Sequence, residues 1–111
     1  MHSLTSTSDP LYSTLGGDPD LGEIVELFVD EMPERISNLL DLMDSQQWEE
    51  LRRAAHQLKG AAGSYGFGPI SPAAAHLENV IKTNESDEEQ IRQAVDELIN
   101  LCGRAKAGSP E

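Results

Sequence analysis

From residue 21 to residue 102 the apolar side chains recur at spacings of three and four, and no segment alternates apolar with polar residues, so the chain asks for helices and for no strand. In "DPDLGEIVELFVDEMPERISNLLDLMDS" one stripe holds Leu21, Ile24, Val25, Phe28, Met32, Ile36, Leu39, Leu40 and Met43. Asp18 serves as N-cap and Pro19 takes the first helical position, where a missing N–H costs nothing. Pro33 lies inside the stripe, which continues past it; the expectation is one long helix with a kink. Asp44 and Ser45 restart the chain, and Trp48, Leu51, Ala55, Leu58, Ala62 and Tyr65 form the second stripe. After the turn "GFGPIS", Ser71 with Pro72 caps a third helix bearing Ala73, Leu77, Val80 and Ile81 and ending near Thr83. Ser86 and Glu89 read as a capping box for the fourth, whose stripe is Ile91, Ala94, Val95, Leu98, Ile99 and Cys102.

Short connections between helices of similar length favour antiparallel neighbours. The expected fold is therefore all-α, an up-down-up-down four-helix bundle over residues 11–106, with a short extra helix around Leu11 to Leu15. A chain of 111 residues holds one domain with one core. Residues 1–10 and 107–111, rich in Ser, Thr, Gly and Pro, read as flexible tails.

The charge narrows the partners. With 20 acidic against 8 basic residues the net charge is -12, which argues against nucleic acid and anionic membrane, since both require a cationic surface. Protein or small-ligand partners remain. One cysteine, Cys102, permits no intramolecular disulfide, and its place on the last stripe makes it core packing. No apolar run reaches membrane-spanning length and "MHSLTSTSDP" lacks the pattern of a signal peptide, so a cytoplasmic location is expected.

The stretch "RRAAHQLKGAAGSYGFG" breaks the pattern of a stability-driven helix. An interior glycine costs about 1 kcal/mol relative to alanine, and glycines stand at 60, 63, 66 and 68. On a helical wheel His56 lies about 140° from Leu51, off the buried stripe. Lys59, Gly60 and Gly63 share its side of the helix, and a Cβ at position 60 is expected to crowd the imidazole. Arg52, Arg53 and Lys59 surround the histidine with positive charge in an acidic chain. An exposed imidazole with open space and a lysine beside it suits a ring nitrogen carrying a dianionic phosphoryl group.

The segment "HQLKGAAGSYG" resembles the His-x-x-Lys-Gly signature of histidine-containing phosphotransfer (HPt) domains, with the later family glycine at Gly66. The four-helix reading of residues 18–106 is similar to the whole family domain. The resemblance implies a phosphorelay intermediate of two-component signalling. His56 would be the phosphoacceptor, Lys59 would stabilise the phosphate, and Gly60 and Gly63 would leave space beside the ring. It also implies a residue on the third helix that orients the histidine, and Glu78 occupies that position. At spacing four, Ala74, Glu78 and Lys82 form one line, making Lys82 a candidate second phosphate contact. The implied partners are a receiver domain, with Mg2+ supplied by that partner's acidic site, and a hybrid histidine kinase. The chain itself would be a monomeric phosphocarrier without an ATP site.

Other readings stand beside these. Gly60 and Gly63 equally permit close helix packing, while Gly66 and Gly68 suit the C-cap of the second helix. A bundle of the same shape would also serve as a non-phosphorylated module that binds a receiver or kinase domain. A helical hydrolase is disfavoured, because the pair His56 and Glu78 has no Ser or Cys at a recognisable spacing. His76 reads as a surface histidine on the far side of the third helix, and His2 belongs to the tail. The exposed apolar residues of a docking surface are not identified, with Leu11, Tyr12 and Leu15 as candidates.

Overall fold

The computed structural model describes residues 10–15, 17, 18, 20–83 and 87–106. In chain order these form strand β1 (Leu11–Tyr12), helices α1 (Gly22–Asp30), α2 (Met32–Asp44), α3 (Trp48–Ser64), α4 (Ile70–Thr83) and α5 (Glu88–Gly103), and strand β2 (Ala105–Lys106). Helices α2 to α5 pack in a closed cycle, each against its neighbours in sequence and α5 against α2. The bundle is antiparallel: across α3 and α4, contacts run from Ser71 with Lys59 to Glu78 with Arg52, so one residue number rises as the other falls.

The core follows the stripes. Leu51, Ala55, Leu58 and Ala62 of α3, Ala74, Leu77 and Ile81 of α4, and Ile91, Val95 and Leu98 of α5 are buried. Burying each of the larger aliphatic side chains contributes about 1.5–3 kcal/mol. Ile24 and Leu40 fall on the stripe yet are exposed. Phe67, in the turn after α3, is fully buried and stacks on Phe28 at 5.4 Å between ring centroids.

Several local expectations are corrected. The first stripe forms two helices. Pro33 has no N–H to give to the carbonyl four residues before it, so α1 ends at Asp30 and Pro33 falls in the first turn of α2, where that loss is tolerated. Glu31 keeps helical backbone angles between them, and the Arg35 guanidinium spans the junction, 5.3 Å over the Phe28 ring. Asp18 caps a turn ahead of α1, accepting from the Asp20 and Leu21 amides at 2.7 and 3.2 Å; Pro19 lies outside the described residues.

Residues 11–15 hold no helix. Leu11 and Tyr12 pair in parallel with Ala105 and Lys106, a ladder too short to leave any alternation in the sequence. The chain then straps the end of α3: Ser13 Oγ donates to the Tyr65 carbonyl, and the Thr14 amide donates to the Gly66 carbonyl at 3.0 Å. That end is a Schellman turn, in which the Phe67 amide returns to the Ala62 carbonyl at 2.9 Å and Gly66 takes a φ of +80°.

Ser71 is not a cap. Helix α4 starts at Ile70, and Ser71 Oγ donates to the Lys59 carbonyl at 3.0 Å, tying α4 to α3. Nor does the expected capping box open α5: Asp87 is its N-cap and accepts from the Gln90 amide at 3.2 Å, while Ser86 lies outside the described residues.

Candidate functional site

Helix α3 presents His56 and Lys59 on the side that meets α4, and α4 presents Glu78 back to them. The periods explain the meeting. His56 stands one residue past the buried Ala55, and Glu78 one residue past the buried Leu77, so each sits at the edge of the α3–α4 seam. The imidazole is 62% exposed and the Glu78 side chain only 12%.

Glu78 is the hub. Its Oε2 lies 3.0 Å from His56 Nδ1 and 3.8 Å from Arg52 Nη1, and its Oε1 accepts from Lys59 Nζ at 3.2 Å. Burial pushes the Glu78 carboxyl up, but hydrogen bonds from Lys59 and His56, with the charge behind them, outweigh it and hold the group below its ordinary value. An ionised carboxylate is acceptor-only, so in the neutral ring Nδ1 carries the proton and Nε2 keeps its lone pair. That nitrogen belongs to the most exposed side chain of the cluster. The arrangement is an oriented nitrogen nucleophile with two cations within a turn of it.

The remaining sequence candidates distribute unevenly. A Cβ at Gly60 would meet no atom within 4 Å, so a methyl group there would not crowd the imidazole as expected; the glycine leaves open space on that side. Gly63 faces α4, where a Cβ would stand 3.6 Å from Ser71 Oγ, an ordinary contact. Lys82 is exposed in the last turn of α4 and makes no hydrogen bond or ion pair among the described residues. Arg53 does not surround the histidine: it pairs with Glu50 at 3.1 Å and lines a shallow cleft against Asn38 and Leu42 of α2. Gly68 has no positive φ and no close neighbour, so nothing in the structure explains it, whereas Gly66 forms the left-handed residue that closes α3. His76 is exposed beside Gln90, Gln93 and Glu97 in the groove between α4 and α5, away from Glu78.

The contact of Arg52 with Glu78 escaped the sequence. Its signal was the spacing of four from His56, which puts Arg52 one turn below the ring on the same side. Among the described residues no group of three or more His, Cys, Asp or Glu side chains is placed to hold a metal ion, and no helix is long and apolar enough to cross a membrane.

Comparison with known proteins agrees with this geometry. The Hpt domain family matches residues 23–108. Chemotaxis protein CheA of Salmonella typhimurium is 31% identical over 90 residues, covering 74% of this chain and 13% of that protein. Phosphorelay protein LuxU of Vibrio harveyi is 27% identical over 81 residues, covering 73% of this chain and 70% of its own length. The chain thus spans a small part of the first relative and most of the second. No solved structure is matched significantly. Since the family match takes in all five helices but for the first residue of α1, and with them the His56–Glu78 pair, the chain belongs to the Hpt domain family.

Proposed function

We propose that the chain is a phosphorelay intermediate of two-component signalling that carries the phosphoryl group on Nε2 of His56. The observation behind this reading is the exposed imidazole whose Nδ1 sits 3.0 Å from a carboxylate shared with two cations. The Nε2 lone pair attacks the phosphorus of an aspartyl phosphate on a receiver domain. The N–P bond forms as the acyl P–O bond breaks, and the aspartate leaves as carboxylate. Positive charge that develops on the ring is met by Glu78 across the Nδ1–H bond. Transfer in the opposite direction reverses each bond change.

In-line phosphoryl transfer depends on positioning and charge neutralisation more than on acid–base chemistry. Lys59 supplies a cation on this side, with Lys82 adding positive potential further along α4, and Gly60 leaves the approach to the ring open. The receiver's own acidic site brings Mg2+. This domain is a phosphocarrier that works as a monomer in the cytoplasm and takes its phosphoryl group from a receiver or a hybrid histidine kinase, with no ATP site of its own.

The test is incubation of the wild type and His56→Gln with several phosphorylated receiver domains and hybrid kinases, because relay partners are selective. Label on the wild type that is stable in base and lost in acid, and absent from the variant, is the expected result. Equal receiver binding by both forms with no label from any donor would overturn it.

A further inference from the structure

We infer that Arg52 is a positioning residue of the phosphoacceptor, acting on His56 through Glu78. This rests on the reading of His56 as phosphoacceptor but concerns a residue that reading does not use.

A carboxylate that orients an imidazole must itself be held still, and the Glu78 carboxylate is held from two sides. Lys59 takes Oε1 at 3.2 Å from the turn above His56. Arg52, one turn below, places Nη1 3.8 Å from Oε2, the oxygen that faces Nδ1. Oε2 thus faces the ring at hydrogen-bond distance and the guanidinium at ion-pair distance, so the position of Arg52 bears on the geometry of the Nδ1–H bond.

Arg52 is in turn anchored. Its Nε donates to Glu49 Oε1 at 3.3 Å and its Nη2 donates to Glu49 Oε2, a two-point grip that matches the planar fork of a guanidinium to a carboxylate. The side chain is 30% exposed, against 55% for Arg53, whose partner Glu50 turns it toward α2. Adjacent arginines with matching i,i+3 carboxylates therefore do different things. Arg53–Glu50 is a solvated surface pair, whereas Glu49–Arg52–Glu78–His56 forms a connected line ending on the reactive ring. Lysine at position 52 would keep the charge but lose the two-point grip, so a partial effect is expected of it.

The experiment combines ring 15N NMR of His56 with phosphotransfer kinetics, on the full chain, for wild type, Arg52→Gln, Arg52→Lys and Arg53→Gln. In the wild type the neutral ring should be protonated almost wholly on Nδ1. Arg52→Gln should show a mixed tautomer population and a transfer rate lower by about twofold to fivefold, the range carried by a partly exposed ion pair. Arg52→Lys should fall between, and Arg53→Gln should match the wild type. An Arg52→Gln ring with an unchanged tautomer overturns the inference, whether or not the rate falls, since a rate loss alone would mark Arg52 as a docking contact. If no donor labels the wild type while the tautomer still depends on Arg52, the phosphorelay reading fails and the positioning role stands.

Discussion

Glu78 reaches across the α3–α4 seam to place Oε2 3.0 Å from Nδ1 of His56, from a side chain that is itself almost wholly covered. The pair divides the labour that an oriented nucleophile requires. On the proposed reading the largely covered member fixes the proton, and the exposed member offers its lone pair. Glu78→Gln keeps an acceptor of the same shape but removes the charge, which is the difference between a charged and a neutral hydrogen bond, about 1 kcal/mol. Phosphotransfer to His56 should slow about fivefold in this variant. Glu78→Ala should slow it further, since Lys59 and Arg52 then lose the carboxylate they both face. Single-turnover transfer from a phosphorylated receiver measures both, and equal rates in all three proteins would remove Glu78 from the mechanism.

The same carboxylate makes the fold sensitive to acid. Its folded-state pKa is held below the ordinary value of 4.5 because the hydrogen bonds from Lys59 and His56 overcome the opposing effect of burial. A depressed carboxyl contributes stability that is fully present above the unfolded value and is lost as pH falls through the folded one. Urea midpoints should therefore decline for the wild type below about pH 4.5. Glu78→Gln should show a shallower decline over that window, the two curves converging at the acid end. Parallel curves would mean that Glu78 gains nothing from its partners on folding.

Two of the glycines near His56 answer to different demands, and substitution separates them. Gly66 has a φ of +80°, and a Cβ there would stand 2.6 Å from both Ser13 Oγ and Thr14 Oγ1 and 3.0 Å from the Thr14 amide. Gly66→Ala should cost about 1–3 kcal/mol in thermal or urea unfolding, through backbone strain and displacement of the strap. Gly60 sits inside α3, about a turn before its end, with open space where a Cβ would be. Gly60→Ala should stabilise the helix by about 0.5–1 kcal/mol. Its transfer rate should nevertheless fall, because the approach to Nε2 narrows for a docked partner. A Gly60→Ala protein that is both more stable and fully active would show that the open space at this position has no use in transfer.

What the sequence made legible was whatever repeats. The 3.6-residue period located the four bundle helices, and the place of His56 about 140° from Leu51, off the buried stripe, predicted its exposure. Features that depend on a single residue or on distant partners were not legible in the same way. Pro33 separates α1 from α2 where the unbroken stripe suggested a kink, because periodicity records which face is apolar and not where hydrogen bonds stop. The two-residue strand β1 is too short to alternate, and Phe67 is buried from a turn that belongs to no stripe. At the site, Lys59 and Glu78 were reached through spacing and family resemblance. Arg52 required the fold, since at spacings of four and three Arg52 and Arg53 both lie within a turn of His56, and only the packing of α4 against α3 selects Arg52 as the one that reaches Glu78.

The turn between α2 and α3 repeats the geometry that closes α3, with one difference in the residue chosen. The Gln47 amide returns to the Leu42 carbonyl at 3.0 Å and the Gln46 amide to Met43 at 3.1 Å, a second Schellman turn, but its left-handed position, with φ of 56°, is held by Gln46. A side chain in that conformation carries strain that glycine does not. Against this, Gln46 Nε2 donates to Glu88 Oε1 at 3.0 Å, an exposed contact that ties the turn to the start of α5 and contributes little in water. Gln46→Gly should therefore raise the stability of the domain by a net of about 0.5–1 kcal/mol, visible as a higher urea midpoint with an unchanged slope. Phosphotransfer should be untouched, since the turn lies at the end of the bundle where α3 begins, two turns from His56. A loss of stability would show that the link from Gln46 to Glu88 outweighs the backbone strain and that this turn is pinned by its side chain.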